Sequence, residues 1–153
     1  MKKKLVILIS VFIPILILDQ LLKFFINNGI PLTDKITVVS HYFNIVHIDN
    51  TGVAFGFMSG YSALFIIFLT ALIIAAITYF LFKAKIDAGL FIISSSLIIS
   101  GAFSNLLSRI FQRYVVDFLD FHIYGYHWPS FNLADSSVVV GTILLFISVI
   151  KYI

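Results

Sequence analysis

Four apolar runs constrain this chain more than any other feature: about residues 5–25, 61–82, 88–107 and 136–151 are almost free of charge. An α-helix needs about 20 mostly apolar residues to cross about 30 Å of hydrocarbon, and these runs meet or approach that length. The bilayer is the expected solvent. With 61% hydrophobic residues and a mean hydropathy of +1.10 over 153 residues, the chain does not fit a water-soluble domain. Its seventeen Phe are spread over every run, which suits lipid contact better than a compact aqueous core. The start, Met1 to Leu18, imitates a secretory signal. No A-x-A cleavage site follows, and Asp19, Gln20 and Lys23 come instead, so a retained first helix is expected.

Basic residues in the short flanks set the orientation. Lys2, Lys3 and Lys4 precede the first run, Lys83 and Lys85 separate the second from the third, and Lys151 ends the fourth. Both termini are therefore expected in the cytoplasm, with loops of about residues 27–60 and 108–135 on the opposite side. The net charge of +3 arises largely from these flanks, and no nucleic-acid partner is expected. In the first loop, Lys35 to Val39 and Tyr42 to Ile48 are rich in β-branched and aromatic residues, predicting a small antiparallel sheet. The second loop offers Tyr114 to Phe118 as an extended piece and Gly125 to Pro129 as a turn. The fold class expected is an integral membrane α-helical protein: one domain, residues 1–153, forming a four-helix transmembrane bundle with a small extracytoplasmic sheet and loop subdomain.

Against this background each polar residue near a run needs a reason. Only fourteen residues separate Lys4 from Asp19, about 21 Å of helix, so Asp19 and Lys23 lie at or below the outer hydrocarbon boundary. Their i,i+4 spacing permits an ion pair, either as a lock on the first helix or as part of a site. Ser96, Ser100 and Ser104 recur every fourth residue, a pattern expected to serve close helix packing. Asn105 and Arg109, also four apart, offer donors to a backbone or a carboxylate.

Asp117 follows the apolar pair Val115-Val116, and Asp135 stands immediately before Ser136 and the fourth run. Each has a plain structural explanation, a salt bridge to Arg109 or Arg113 for the first and an N-cap for the second. Together, on one side of the membrane among several amides, they suggest a site. Two carboxylates held close cannot both ionise easily, so one acts as base and the other as acid, the logic of aspartic proteases. Paired Asp residues in membranes also relay protons or bind cations, so a non-enzymatic ion or solute pathway using Asp19, Lys23 and the polar stripe stays open. With no cysteine, a thiolate site and a cysteine nucleophile are excluded. His122 and His127 lack a fixed third ligand, and no metal is expected.

Four ordered blocks then become specific. Asp19-Gln20-Leu21-Leu22-Lys23, Asn50-Thr51-Gly52-Val53-Ala54-Phe55-Gly56, Asn105 and Arg109 with Val115-Val116-Asp117-Phe118, and Phe131-Asn132-Leu133-Ala134-Asp135-Ser136 span nearly the whole chain. In these blocks the sequence resembles the bacterial lipoprotein signal peptidases, the type II signal peptidase family. The resemblance implies a membrane aspartic endopeptidase that cuts diacylglyceryl-modified prolipoproteins just before the lipidated cysteine. It implies no cofactor, and an active site on the extracytoplasmic side of the cytoplasmic membrane. Asp117 and Asp135 would be the catalytic dyad. Asp19, Lys23, Asn50, Gly52, Asn105, Arg109, Asn132 and Ala134 would shape the site, with Asn50 and Asn132 able to meet amides of an extended substrate. The partners are then prolipoprotein and membrane lipid, with the enzyme as a monomer. Three positions depart from the family pattern: Ser104 and Arg113 stand where Gly is usual, and Ser108 where an acid is usual. The last removes a negative neighbour from Arg109, and Arg113 implies a turn that does not demand Gly.

Overall fold

A computed structural model describes residues 1–52, 62–84, 86 and 88–150. Its elements in chain order are α1 (Lys2–Gly29), β1 (Lys35–Val39), β2 (Phe43–Asn50), α2 (Ala63–Lys83), α3 (Gly89–Gln112), β3 (Val115–Ile123), β4 (Tyr126–His127) and α4 (Leu133–Ile150). All four helices are long and apolar enough to cross a membrane. The expected class, a four-helix bundle with a small antiparallel sheet, is the one observed. Residues Val53 to Gly56, and Phe57 and Met58 after them, lie outside the described residues, as do Lys85 and Lys151.

The central helix is α3. Its buried face runs from Phe91 to Arg109, whereas α1 buries only Lys4, Asp19 and Lys23. That inversion is what a bilayer permits: apolar side chains such as Phe24, Phe68 and Phe146 point outward into lipid, and polar ones turn inward. The serine stripe is only partly a packing device. Ser96 and Ser100 each return a hydroxyl hydrogen bond to the carbonyl four residues earlier in their own helix. The close approach of α3 and α4 is made instead at Gly101 and Gly141, where an added Cβ would meet the Ala134 carbonyl oxygen at 2.2 Å and the Ser94 carbonyl oxygen at 2.8 Å. At the other end of the bundle, the Lys4 ammonium turns inward and donates to the carbonyls of Leu81 and Ala84, capping the C-terminus of α2.

The sheet is an antiparallel meander in the order β1-β2-β3-β4. Strand β3 extends beyond the expected Tyr114–Phe118, because Leu119 to Phe121 find partners in Phe43 to Ile45 of β2. Tyr124 and Gly125, both with positive φ (46° and 95°), make the two-residue turn that fits a twisted hairpin. One expectation needs refinement. Arg113 caps α3 in the left-handed region at φ 71°, ψ 0°, the conformation that favours glycine, although an L residue can adopt it at a cost. Arg113→Gly is therefore expected to stabilise the folded protein by about 1 kcal/mol, seen as a higher thermal midpoint in detergent. A lower midpoint would show that the arginine side chain contributes more than its backbone costs.

Candidate active site

The C-terminal ends of α1 and α3 and the N-terminal end of α4 meet the sheet in a connected set of polar side chains, and Asn132 is its hub. Its side-chain amide donates to Asp117 Oδ1 at 2.8 Å. Its side-chain oxygen accepts the Asp135 backbone N–H at 3.0 Å, and its own backbone N–H donates to Asp135 Oδ2 at 3.2 Å. Asn132 is thus the N-cap of α4 and Asp135 the reciprocal partner three residues on, a capping box. The structural alternative for Asp135, that it is itself the cap, is thereby replaced by a role as the partner of the cap. The spacing Asn132-x-x-Asp135 carried the signal. One residue therefore ties both carboxylates together, one on a strand and one on a helix.

Each carboxylate has a second amide donor. Asn50 at the end of β2 donates to Asp117 Oδ2 at 2.8 Å, while its side-chain oxygen accepts the Gly52 N–H at 2.9 Å. Asn105 donates to Asp135 Oδ1 at 2.8 Å. The side-chain amides of Asn50 and Asn132 are thus engaged with Asp117 and not open toward a substrate, contrary to their sequence reading. Asp117 pairs here with amides in place of the Arg109 or Arg113 bridge considered as its alternative.

Behind the pair stands a buried ionic layer. Lys23 Nζ lies 2.6 Å from Asp19 Oδ2 and donates to Asn105 Oδ1 at 2.7 Å. The ammonium thereby fixes which end of the Asn105 amide faces Asp135. Asp19, fully buried, accepts from the Ser104 hydroxyl at 2.7 Å and from the Ala134 N–H at 2.9 Å, so it holds the first turn of α4. This is an anion at a helix N-terminus, where the dipole favours it. The i,i+4 pair predicted at Asp19 and Lys23 is both a lock and part of the site's support. Arg109, buried within α3 and not in the loop as expected, donates to the Gly52 carbonyl at 2.7 Å. Its contact survives the loss of the neighbouring acid at Ser108.

Three contributors were missed in the sequence. Ser104, read as packing, supplies Asp19 with a donor. Gln20 donates to the Ser104 carbonyl and hydroxyl and lies 3.3 Å from the Ser108 hydroxyl. Gly101 admits the Ala134 carbonyl. Gln20 lies beside Asp19 and Ser104 beside Asn105, which was the available signal; the Gly101 contact depends on which helices meet. His122 and His127, considered for a metal, stack ring on ring with centroids 4.7 Å apart, and His127 Nδ1 sits 2.7 Å from Asp120 Oδ1.

Asp117 is almost wholly buried. Burial pushes its carboxyl up to about 6, the negative charge of Asp135 adds to the shift, and the amides of Asn50 and Asn132 restrain it. A cavity of about 370 Å³ opens over both carboxylates, walled by Asn50, Trp128 and Phe131 and continuing past Val139 and Val140 on the outer face of α4. A protonatable carboxyl beside a second carboxylate, under a cavity that is apolar toward the lipid, is suited to exchange protons with a bound water and a polar substrate bond.

Fold and site together define a multi-pass membrane protein with a carboxylate pair at one end of its bundle. The profile of the signal peptidase (SPase) II family matches residues 11–151. A lipoprotein signal peptidase from Syntrophus aciditrophicus (strain SB) is 37% identical over 155 residues, covering 99% of this chain and 96% of the relative. One from Staphylococcus aureus is 40% identical over 146 residues, covering 95% and 87%. Two solved structures, described as bacterial membrane enzymes at 2.3 Å and 1.9 Å resolution, superpose with TM-scores of 0.85 and 0.82 at 33% identity. They cover 99% of this chain, and 89% and 94% of their own. The chain belongs to the signal peptidase II family, and it is a multi-pass bacterial membrane protein.

Proposed function

We propose that this chain removes the signal peptide from diacylglyceryl-modified prolipoproteins, acting as an aspartic endopeptidase with Asp117 and Asp135 as its catalytic pair. The observation that carries the reading is the bridging of both carboxylates by Asn132 beneath one cavity. One carboxylate, ionised, takes a proton from a water that attacks the scissile carbonyl. The other, protonated, polarises that carbonyl, and a proton is then delivered to the leaving nitrogen. Asn105, Asn50 and Asn132 hold the two carboxylates, Lys23 and Asp19 hold Asn105 and the α4 terminus, and Arg109 holds the backbone at Gly52. The mechanism needs no cofactor.

Lys2 to Lys4 and Lys83 lie at the end of the bundle opposite the pair. By the positive-inside rule both termini are cytoplasmic and the site faces outward. Substrate enters laterally along α4 past Val139 and Val140, with its acyl chains still in lipid, and the enzyme acts on it as a monomer. A signal segment must unwind to be cut, and the backbone groups it frees need polar partners at this depth. The alternative of an ion pathway requires polar groups through the whole membrane depth. Toward the opposite end, Ser96 bonds back to its own helix, and among the described residues the connected polar set ends near Ser104.

The deciding experiment incubates purified protein in detergent or lipid with a lipidated prolipoprotein and with its unlipidated twin. A mass loss equal to the signal peptide is expected for the first only. No loss from either, or equal loss from both, contradicts the proposed substrate.

A further inference from the structure

A second cavity, of about 480 Å³, lies at the tip of the sheet between Tyr42, Phe121, Tyr126 and His127, and it shares Trp128 with the cavity over the carboxylates. The shared wall makes the two cavities neighbours along one stretch of chain, residues 126–131. That stretch runs beside β3, with Trp128 N–H donating to the Phe121 carbonyl at 2.8 Å and Phe131 bridging Leu119. It is also the end of the sheet, since β4 is the last strand in the order.

Register decides which backbone groups this edge offers. Ile123 faces Tyr126 across the two-residue turn, and His122 faces His127. In an antiparallel pair, bonded and non-bonded positions alternate. The Phe121–Trp128 position is bonded, so the His127 position is not, and the N–H and C=O of His127 point away from β3. An edge strand with outward backbone groups and flanking aromatic side chains is a template for an extended peptide. The edge is held firmly: Asp120, itself fixed by Asn44 at 2.8 Å, grips His127, whose ring stacks on His122.

We propose that the edge at β4 binds the polypeptide segment that follows the scissile bond, as an added extended strand paired with the His127 backbone and packed between Tyr126 and Trp128. This rests on the function proposed above. The first cavity continues down α4 toward lipid and takes the membrane-embedded side of the substrate, so the chain leaving the pair on the aqueous side passes Trp128 into the second. The ligand class is an extended peptide of about four residues carrying small or flat side chains, recognised through its backbone.

The test uses two lipidated substrates: one with four or more residues after the modified cysteine, and one ending at that cysteine as an amide. His127→Pro removes the outward N–H where an edge strand tolerates proline, and Tyr126→Ala trims a side chain that is 86% exposed. Expected is a fall of about fivefold to tenfold in kcat/KM for both variants on the long substrate only, the size of one hydrogen bond or one aromatic contact. Equal losses on both substrates would mark a structural effect and overturn the inference. An unchanged rate on the long substrate would overturn it as well. Failure of the parent enzyme to cleave either substrate would remove the function reading, and this inference with it.

Discussion

Replacing either Asp117 or Asp135 by Asn is expected to lower cleavage of a diacylglyceryl prolipoprotein by about a hundredfold to ten-thousandfold, the range that positioned acid–base groups supply. The four helices should remain folded, since the isosteric amide keeps part of the hydrogen bonding to Asn132. Cleavage within threefold of the parent by both variants would eliminate the dyad. The pH profile gives an independent check. Burial raises Asp117 to about 6, so below that pH it keeps its proton and the pair holds the single proton that acid–base work requires. As pH rises through that value the pair loses this proton, so kcat/KM should fall about tenfold per unit above it. Asn50 donates to Asp117 and favours the anion. Asn50→Leu should then move this decline to higher pH even while it lowers the maximum. A decline that stays in place would assign the titration to another group.

Much of this arrangement was legible because lipid makes polar residues conspicuous. Asp19 and Lys23, four residues apart at one end of an apolar run, were placed to pair, and they do, at 2.6 Å. The strand at Lys35–Val39 followed from its β-branched residues facing a second apolar-rich run. What stayed hidden depends on partners distant in sequence. The direction of an amide is invisible in a chain: Asn50 and Asn132 were read as open to substrate, and each is turned onto Asp117 by the meeting of β2, β3 and the α4 cap. Ser104 looked like one member of a packing stripe, because only the crossing of α1 over α3 brings it to Asp19. The structural alternative for Asp135, a helix cap, lay three residues off: Asn132 is the cap and Asp135 its partner, and the capping-box spacing was present in the sequence.

Gly101 is where the bundle's packing reaches the chemistry. Its missing Cβ would stand 2.2 Å from the Ala134 carbonyl oxygen and 2.9 Å from Val138 Cγ2. The oxygen is backbone in the first turn of α4, so no rotamer change relieves it. Gly101→Ala must part α3 from α4 by about 1 Å, given contact distances near 3.5 Å. The same turn carries the Ala134 N–H held by Asp19 and the Asp135 carboxylate held by Asn105, one helical turn along α3 from Gly101. Both bonds, now 2.9 and 2.8 Å, would stretch past useful length. The expected result is a stability loss of about 1–3 kcal/mol, as for other overpacked sites, with cleavage reduced about a hundredfold, the size of effect a misplacement near 1 Å can produce. Gly141→Ala is the matched comparison. Its Cβ would meet Ser94 O and Ile98 Cγ1, both at 2.8 Å, about two turns deeper along α4. It should lose comparable stability while cleaving far closer to the parent rate, because the contacts it strains lie away from Asp135. Thermal midpoints measured beside single-turnover rates separate the two effects. If both variants lose activity in the same proportion to stability, Gly101 merely packs the bundle. If only Gly101→Ala loses activity beyond its stability cost, the distance between α3 and α4 at that glycine sets the position of Asp135.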